Sequence, residues 1–350
     1  MAKTAPTLDQ WRHAYRLADE VYALAPWTWM WDTDHLAFRD PEDGSPRFIS
    51  VMGREGSYFA IAVYRRVQDV FRIVELARDP GATPTEVLEV SQLQLSFEDK
   101  GFLDAKDRQV IRRLGLRFQG REAWPQFRSY LPGQYPWFLE RDELRLMTVA
   151  LEQVLAVAPR FKDDEPGLEA LNRKGMEEQV FLMRSPVETE KGIEWQEDLV
   201  RVESPPAPEF EPDLNEFLLE RVAGFATVRA TLEVGLRAGP GAVQERQGQR
   251  PFFPWVMLVV DPNGGRVVGH DVLSPVPTMD AVYCGAAGVL LDILSEQQAR
   301  PQEIRVRNER VAVLFRGLCR RLGIRLTVRP HLPQLEQALE SMVRFWQGQG

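Results

Sequence analysis

The chain has 350 residues, 44% hydrophobic and 27% charged, the proportions of a folded globular protein long enough for two cores. A formal net charge of −8 argues against broad non-specific binding to nucleic acid, and the longest clean apolar run, Trp255 to Val260, is far short of a membrane span. Two cysteines, Cys284 and Cys319, do not make a disulfide framework, and His13, His35, His270 and His331 stand at no metal-ligand spacing, so no cofactor is expected.

From the N-terminus, "MAKTAPTLDQW" lacks the apolar centre of a signal peptide, which predicts a cytoplasmic protein with no membrane partner. Thr7 followed by Gln10 is a capping box, and it opens a helix with Trp11, Tyr15 and Ala18 on one stripe, ending near Leu24 before Pro26. "WTWMW", "HLAF", "RFISVMG" and "YFAIAVY" have strand character, with turn chemistry at "DPEDGSP". "VQDVFRIVELA" predicts a helix, "VSQLQLSF" a strand, and "DAKDRQVIRRLG" a helix capped by Asp104 and Gly115. "ERDELRLMTVALEQVLAVA" is a long helix, so residues 1–160 read as an α+β domain.

The run Trp27, Trp29, Trp31 takes alternate positions. In a strand these three rings share a face, either as a stacking platform whose Asp32 and Asp34 hold a cationic or sugar-like ligand, or as one wall of a core. Apolar neighbours Met30, Leu36 and Phe38 favour the core, so Trp29→Ala is expected to cost as much as other large-to-small core changes.

Residues 161–212 read as an acidic, Pro-rich connector: "KDDEPGLEALNRKG", then a hairpin from "QVFLMRS" and "IEWQEDLVRVE", then "SPPAPEFEP". Residues 213–350 alternate strand and helix. "FPWVMLVVDPNGGRVVGHDVLS" gives two strands and a Gly-rich turn, and "TMDAVYCGAAGVLLDILSEQ" an apolar helix. Strand "EIRVR", helix "ERVAVLFRGLCRRLG", strand "IRLTVR" and helix "LPQLEQALESMVRFW" complete an α/β domain with a mixed sheet.

The segment "RPQEIRVRNERVAVLFRGLCRRLGIRLTVRPHLPQLEQALE" resembles the core of ribonuclease-H-like, integrase-type enzymes. There a "P-x-x-I-x-x-D-N-G" run precedes a helix, "L-G-I" starts a strand and a proline-led helix carries a glutamate. The resemblance implies a ribonuclease-H-like fold and three carboxylates holding two magnesium ions. By position the first falls on Asp261, the third on Glu336 or Glu340, and the second on Arg307, a cation, so the triad is degenerate. Over its whole length, through "APWTWMWDTD", "ISVMG", "LSFEDKGFLDAKDRQVIRRLGLRFQGREAWPQFRSYLPGQYPWFL" and "RPFFPWVMLVVD", the chain resembles a bacterial two-domain family of unknown function, which implies no activity.

In the two late strands Ile304 and Val306 alternate with Arg305 and Arg307, and Ile324, Leu326 and Val328 with Arg325 and Arg329. Each strand is apolar on one face and basic on the other, as expected where one face of a sheet is uncovered. On the helix between them Arg310, Arg316, Arg320 and Arg321 lie opposite Val311, Phe315, Leu318 and Leu322. These arginines could bind nucleic acid or an acidic protein surface, grip a small anionic ligand, or be solvated and internally paired, with acidic Glu194, Glu197, Asp198, Glu209, Glu211 and Asp213 available to dock on them. With no nucleophile-base constellation and no second acid, the sequence points to a non-enzymatic binding or adaptor protein. The alternative is a nucleic-acid-associated factor acting through the basic face.

Overall fold

A computed structural model describes residues 5–78, 84–206 and 210–348, and the chain divides into two compact units. The first comprises 1–80, 90–131 and 136–206; the second gathers 81–89 and 132–135 with 207–350. Each unit is built on a mixed sheet flanked by helices.

In the first unit helix α1 (Leu8–Leu24) begins at the capping box foreseen above: the Thr7 hydroxyl accepts from the Gln10 amide while the Gln10 side chain accepts from the Thr7 amide. Strands β1 (Leu36–Arg39), β2 (Pro46–Met52) and β3 (Ala60–Tyr64) follow, then helix α2 (Val67–Arg78) and strand β4 (Gln92–Glu98). Helix α3 (Ala105–Arg113), capped by Asp104, leads to β5 (Trp124–Tyr130) and helix α4 (Arg141–Val157). The sheet runs β5-β4-β3-β2-β1 antiparallel, and its inward residues Phe38, Ile49, Ile61, Leu93, Leu95 and Phe127 pack on α1 and α4.

Two expectations fail here for local reasons. "WTWMW" is not a strand. Ala25 takes a left-handed conformation at the end of α1, and Pro26, with its fixed φ, starts a 3-10 turn over Pro26–Thr28. The three indoles therefore part company: Trp27 is 5% exposed against Phe59 and Phe97, Trp29 is half-buried, and Trp31 is 48% exposed. The core assignment holds for Trp27, extends to the flank of Trp29, and fails for Trp31.

The segment expected to be a connector contains helix α5 (Glu165–Glu178), whose N-cap Asp164 accepts from the Gly167 amide. Its polar composition masked a short apolar stripe, of which Leu168 reaches the core. The hairpin β6 (Val180–Thr189) and β7 (Gly192–Arg201) is present, but β6 pairs in parallel with β1, so the hairpin extends the first sheet to seven strands. Glu209 of the Pro-rich link lies outside the described residues.

The second unit holds helix α6 (Glu216–Ala223) and strand β8 (Thr227–Ala238), both of which the sequence pattern concealed. Strands β9 (Trp255–Asp261) and β10 (Arg266–Leu273) follow, then helix α7 (Asp280–Gln297), strand β11 (Arg300–Val306), helix α8 (Glu309–Leu322), strand β12 (Arg325–Val328) and helix α9 (Pro333–Gln347). The order is β10-β9-β8-β11-β12, with β9 antiparallel to both neighbours and β11 parallel to β8 and β12. One sheet face, with Val234, Met257, Val259, Ile304 and Val306, packs on α7 and α8. On the other, α9 covers β8 and β9 through Leu332, Leu335 and Leu339 against Leu258 and Val260. The face of β11 and β12 that carries Arg305 and Arg325 is therefore the polar one, as the alternation predicted.

Helix α9 approaches the sheet closely because β8 has a glycine beneath it. A Cβ on Gly235 would sit 2.7 Å from a Leu335 methyl carbon. Gly235→Ala is expected to lower stability by about 1–3 kcal/mol, the usual cost of overpacking. Urea denaturation checks this, and an unchanged midpoint would mean that Leu335 repacks freely.

Candidate functional site

A cavity of about 340 Å³ opens in the second unit at the carboxyl ends of β8 and β11. Its position follows from strand length. Arg305 pairs with Glu233, so β11 ends level with Val234, whereas β8 continues to Ala238. The Gly239 amide donates to Pro254 at 2.7 Å, which by strand alternation turns the backbone groups of Leu236 and Ala238 away from β9, towards the side that β11 has left. Leu332, Leu335 and Leu339 of α9, Leu314 of α8 and Trp255 supply apolar walls.

Charge enters from three directions. A 3-10 turn, Pro84–Glu89, brings Glu86 and Glu89; the start of α8 brings Arg307 and Arg310; α9 brings Glu336 and Glu340. Arg310 lies 2.7 Å from the Glu89 carboxylate and donates to the Tyr283 hydroxyl at 3.1 Å, while Tyr283 donates to Glu89 at 2.6 Å. Burial lowers the pKa of Arg310, but the neighbouring Glu89 and Tyr283 outweigh it and hold the guanidinium charged. Burial, reinforced by Glu89, pushes the Tyr283 phenol up, so it remains a donor. Arg307 stands 3.8 Å from Glu86. Arg237, also in the cavity wall, has no ion pair among the described residues, and its Nε and the Trp255 Nε1 are buried without a hydrogen-bond partner.

The other predicted site residues are dispersed. Arg305 and Arg325 converge on Glu303, at 3.0 and 3.5 Å. Burial raises the Glu303 pKa, yet hydrogen bonds from Thr327 and Arg305, with the charge of Arg325, bring it below the ordinary range. Arg316 pairs with Glu309, and Arg321 grips Glu216 with both terminal nitrogens. Arg320 and Arg329 are exposed, with no ion pair among the described residues. Arg310 was expected on the outer face of α8 and instead lines the cavity. Of the connector acids, Glu197 is engaged by Arg160 and Arg184 of its own unit.

Asp261 corrects the position-matching from sequence. It closes the β9–β10 turn, accepting from the Asn263 amide at 2.9 Å and from the Gly265 amide through its carbonyl. With β8 preceding it in the sheet, Asp261 ends the second strand and not the first. The acid on the first, central strand is Glu233, which accepts from the Leu335 amide at 3.0 Å and so caps the free N-terminal turn of α9. Burial raises its pKa, and the Leu335 amide and Arg305 counter that. Among the described residues no group of three His, Cys, Asp or Glu side chains is placed to hold a metal ion.

Glu86, Glu89, Arg237 and Tyr283 were not singled out from sequence. The contact from Tyr283 to Glu89 spans 194 residues, and nothing local to either announces the other. No helix among the described residues is long and apolar enough to cross a membrane.

The molecule is thus a mixed α/β protein with two mixed sheets in two units, and its second unit carries a cavity at strand ends lined by the Arg307–Glu86 and Arg310–Glu89 pairs and by Arg237. Residues 11–184 match a family described as Domain of unknown function (DUF7309), and residues 218–343 match one described as Domain of unknown function (DUF6930). No curated protein matches the chain.

Proposed function

We propose that the protein is a non-enzymatic binding or adaptor protein, that its second unit is a ribonuclease-H-like domain, and that the cavity at the ends of β8 and β11 is its ligand site. The order β10-β9-β8-β11-β12, with the last two strands parallel to the first, supports the fold assignment. The binding assignment rests on Arg307: a guanidinium paired with Glu86 stands at the end of β11, where magnesium chemistry would need an oxygen donor. Glu233, committed to the first turn of α9, agrees with a structural use of the remaining acid. The cavity's volume suits a small organic ligand with an apolar body and a group that can accept from Arg237.

Thermal-shift measurements against a metabolite collection test this. A ligand should raise the melting temperature with saturation, and the rise should be lost in Arg237→Ala. Cleavage of DNA or RNA in magnesium, abolished by Glu233→Gln, would overturn the non-enzymatic assignment.

The alternative, a nucleic-acid-associated factor, draws on the exposure of Arg320, Arg325 and Arg329. Eight free arginines would give a salt slope of about −7 in log K against log salt, whereas Arg320 and Arg329, the two of the eight without an ion pair among the described residues, give about −2. Heparin or DNA retention is therefore expected to be weak. A slope near −7 would mean that the internal ion pairs open on binding.

A further inference from the structure

In the first unit a second cavity, of about 300 Å³, lies between the loop after α1 and helix α5, lined by Trp29, Trp31, Asp34, Glu165, Leu168, Glu169 and Asn172. Its construction is specific. The Trp31 amide donates to Asp34 Oδ2 at 2.7 Å, and the Asn172 side-chain amide donates to Asp34 Oδ1 at 2.7 Å and to the Thr33 hydroxyl at 2.8 Å. The loop is thereby pinned to α5. Trp29 is fixed from behind, its indole Nε1 donating to the Ala158 carbonyl at 3.1 Å. Two indoles and three carboxylates thus face one notch, and no cation is among the residues lining it.

The indoles already attract cations from outside the notch. The Arg54 guanidinium lies 5.4 Å from the Trp31 ring centroid and the Lys162 ammonium 5.8 Å from that of Trp29. Among the described residues neither forms an ion pair with Asp34, Glu165 or Glu169. Negative ring faces beside carboxylates favour a cation that is large and weakly hydrated, because such an ion gives up its water cheaply and spreads its charge over the rings. Sodium or a primary ammonium keeps its hydration shell and gains less from an indole face.

We propose that this notch is a binding site for a substituted ammonium group, of the quaternary or methylated kind, held between Trp29 and Trp31 with Asp34, Glu165 and Glu169 as counter-charges. It is independent of the cavity in the second unit and of the function proposed for it. The exposure of Trp31 makes the site accessible and its substitution harmless to the core.

Isothermal titration of the full chain with choline chloride, against sodium chloride of matched ionic strength, tests it. The wild type should give saturable heat with choline alone. Trp31→Ala should weaken binding about fivefold or more, the contribution of one cation–π contact, and Glu169→Gln should weaken it about twofold or more. Both variants should melt with the wild type, since both side chains are exposed. Absence of saturable heat in the wild type, or wild-type affinity in either variant, overturns the assignment.

Discussion

Trp27→Ala is expected to cost about 3–5 kcal/mol of unfolding free energy, whereas Trp31→Ala, two positions on, changes it by less than about 0.5 kcal/mol. The indole of Trp27 stacks on Phe59 with ring centroids 5.1 Å apart and meets Phe97 at 5.5 Å and Tyr22 at 6.1 Å. Its removal leaves a void whose walls belong to the segment just before β3, to β4 and to α1, and they cannot close together without disturbing the sheet. Trp31 meets solvent, Arg54 and the notch, so its loss leaves no void in the core. Urea unfolding of the two variants in parallel checks the contrast. Equal losses would mean that the rings share one face after all, as a strand would place them.

The second large effect is a dependence of stability on pH centred on His35. This imidazole is buried, 5% exposed beside Tyr64, and its Nε2 has no hydrogen-bond partner. Burial pushes its pKa down to about 4 from the usual 6.5, against a smaller opposing hydrogen bond to the Thr33 backbone. A proton therefore binds the unfolded chain first, and between pH 6.5 and 4 the unfolded state carries more protons than the folded one. The stabilisation is complete above pH 6.5 and is lost as the pH falls to 4, by about 3 kcal/mol over the window. Neighbouring Asp34, whose pKa burial raises, acts in the opposite sense, so the informative quantity is the difference between wild type and His35→Leu. The variant should show a flatter slope between pH 6.5 and 4. Parallel slopes would show that the imidazole is charged in the folded protein or reaches water.

Both effects lie in a part of the chain where sequence was only half legible. The capping box at Thr7 and Gln10, the Asp104 cap and the left-handed Gly115 that follows α3 are decided by contacts within one helical turn, and each is found where the sequence placed it. The "WTWMW" run shows the limit of a period-two pattern. A left-handed Ala25 followed by Pro26 redirects the chain before any strand can form, and alternation then carries no information about faces. Strand β8 was hidden for another reason. Its run "TVRATLEVGLRA" mixes charges and a glycine because one face lies under α9, where Glu233 caps the helix and Gly235 leaves room for Leu335.

The same strand decides which acid is central. Asp261 is a turn residue at the end of β9, and the acid on the central strand is Glu233. The arginines divide in the same way between local pattern and distant partner. Their alternation along β11 and β12 was readable, and so was the uncovered face. Their partners were not, since Glu86 and Glu89 come from a turn far upstream and Glu303 serves two arginines from adjacent strands.

By itself the sequence determined most helices, the caps at Thr7 and Asp104 and the alternation of the late strands. Tertiary structure alone decided which tryptophan is core, which strand is central, which arginines are neutralised and where the cavities lie. Caps, turns and periodicity are set by residues a few positions apart, so a linear string records them. Burial and ion pairing depend on which distant segments meet, and that is fixed only when the sheets close and the helices settle on them.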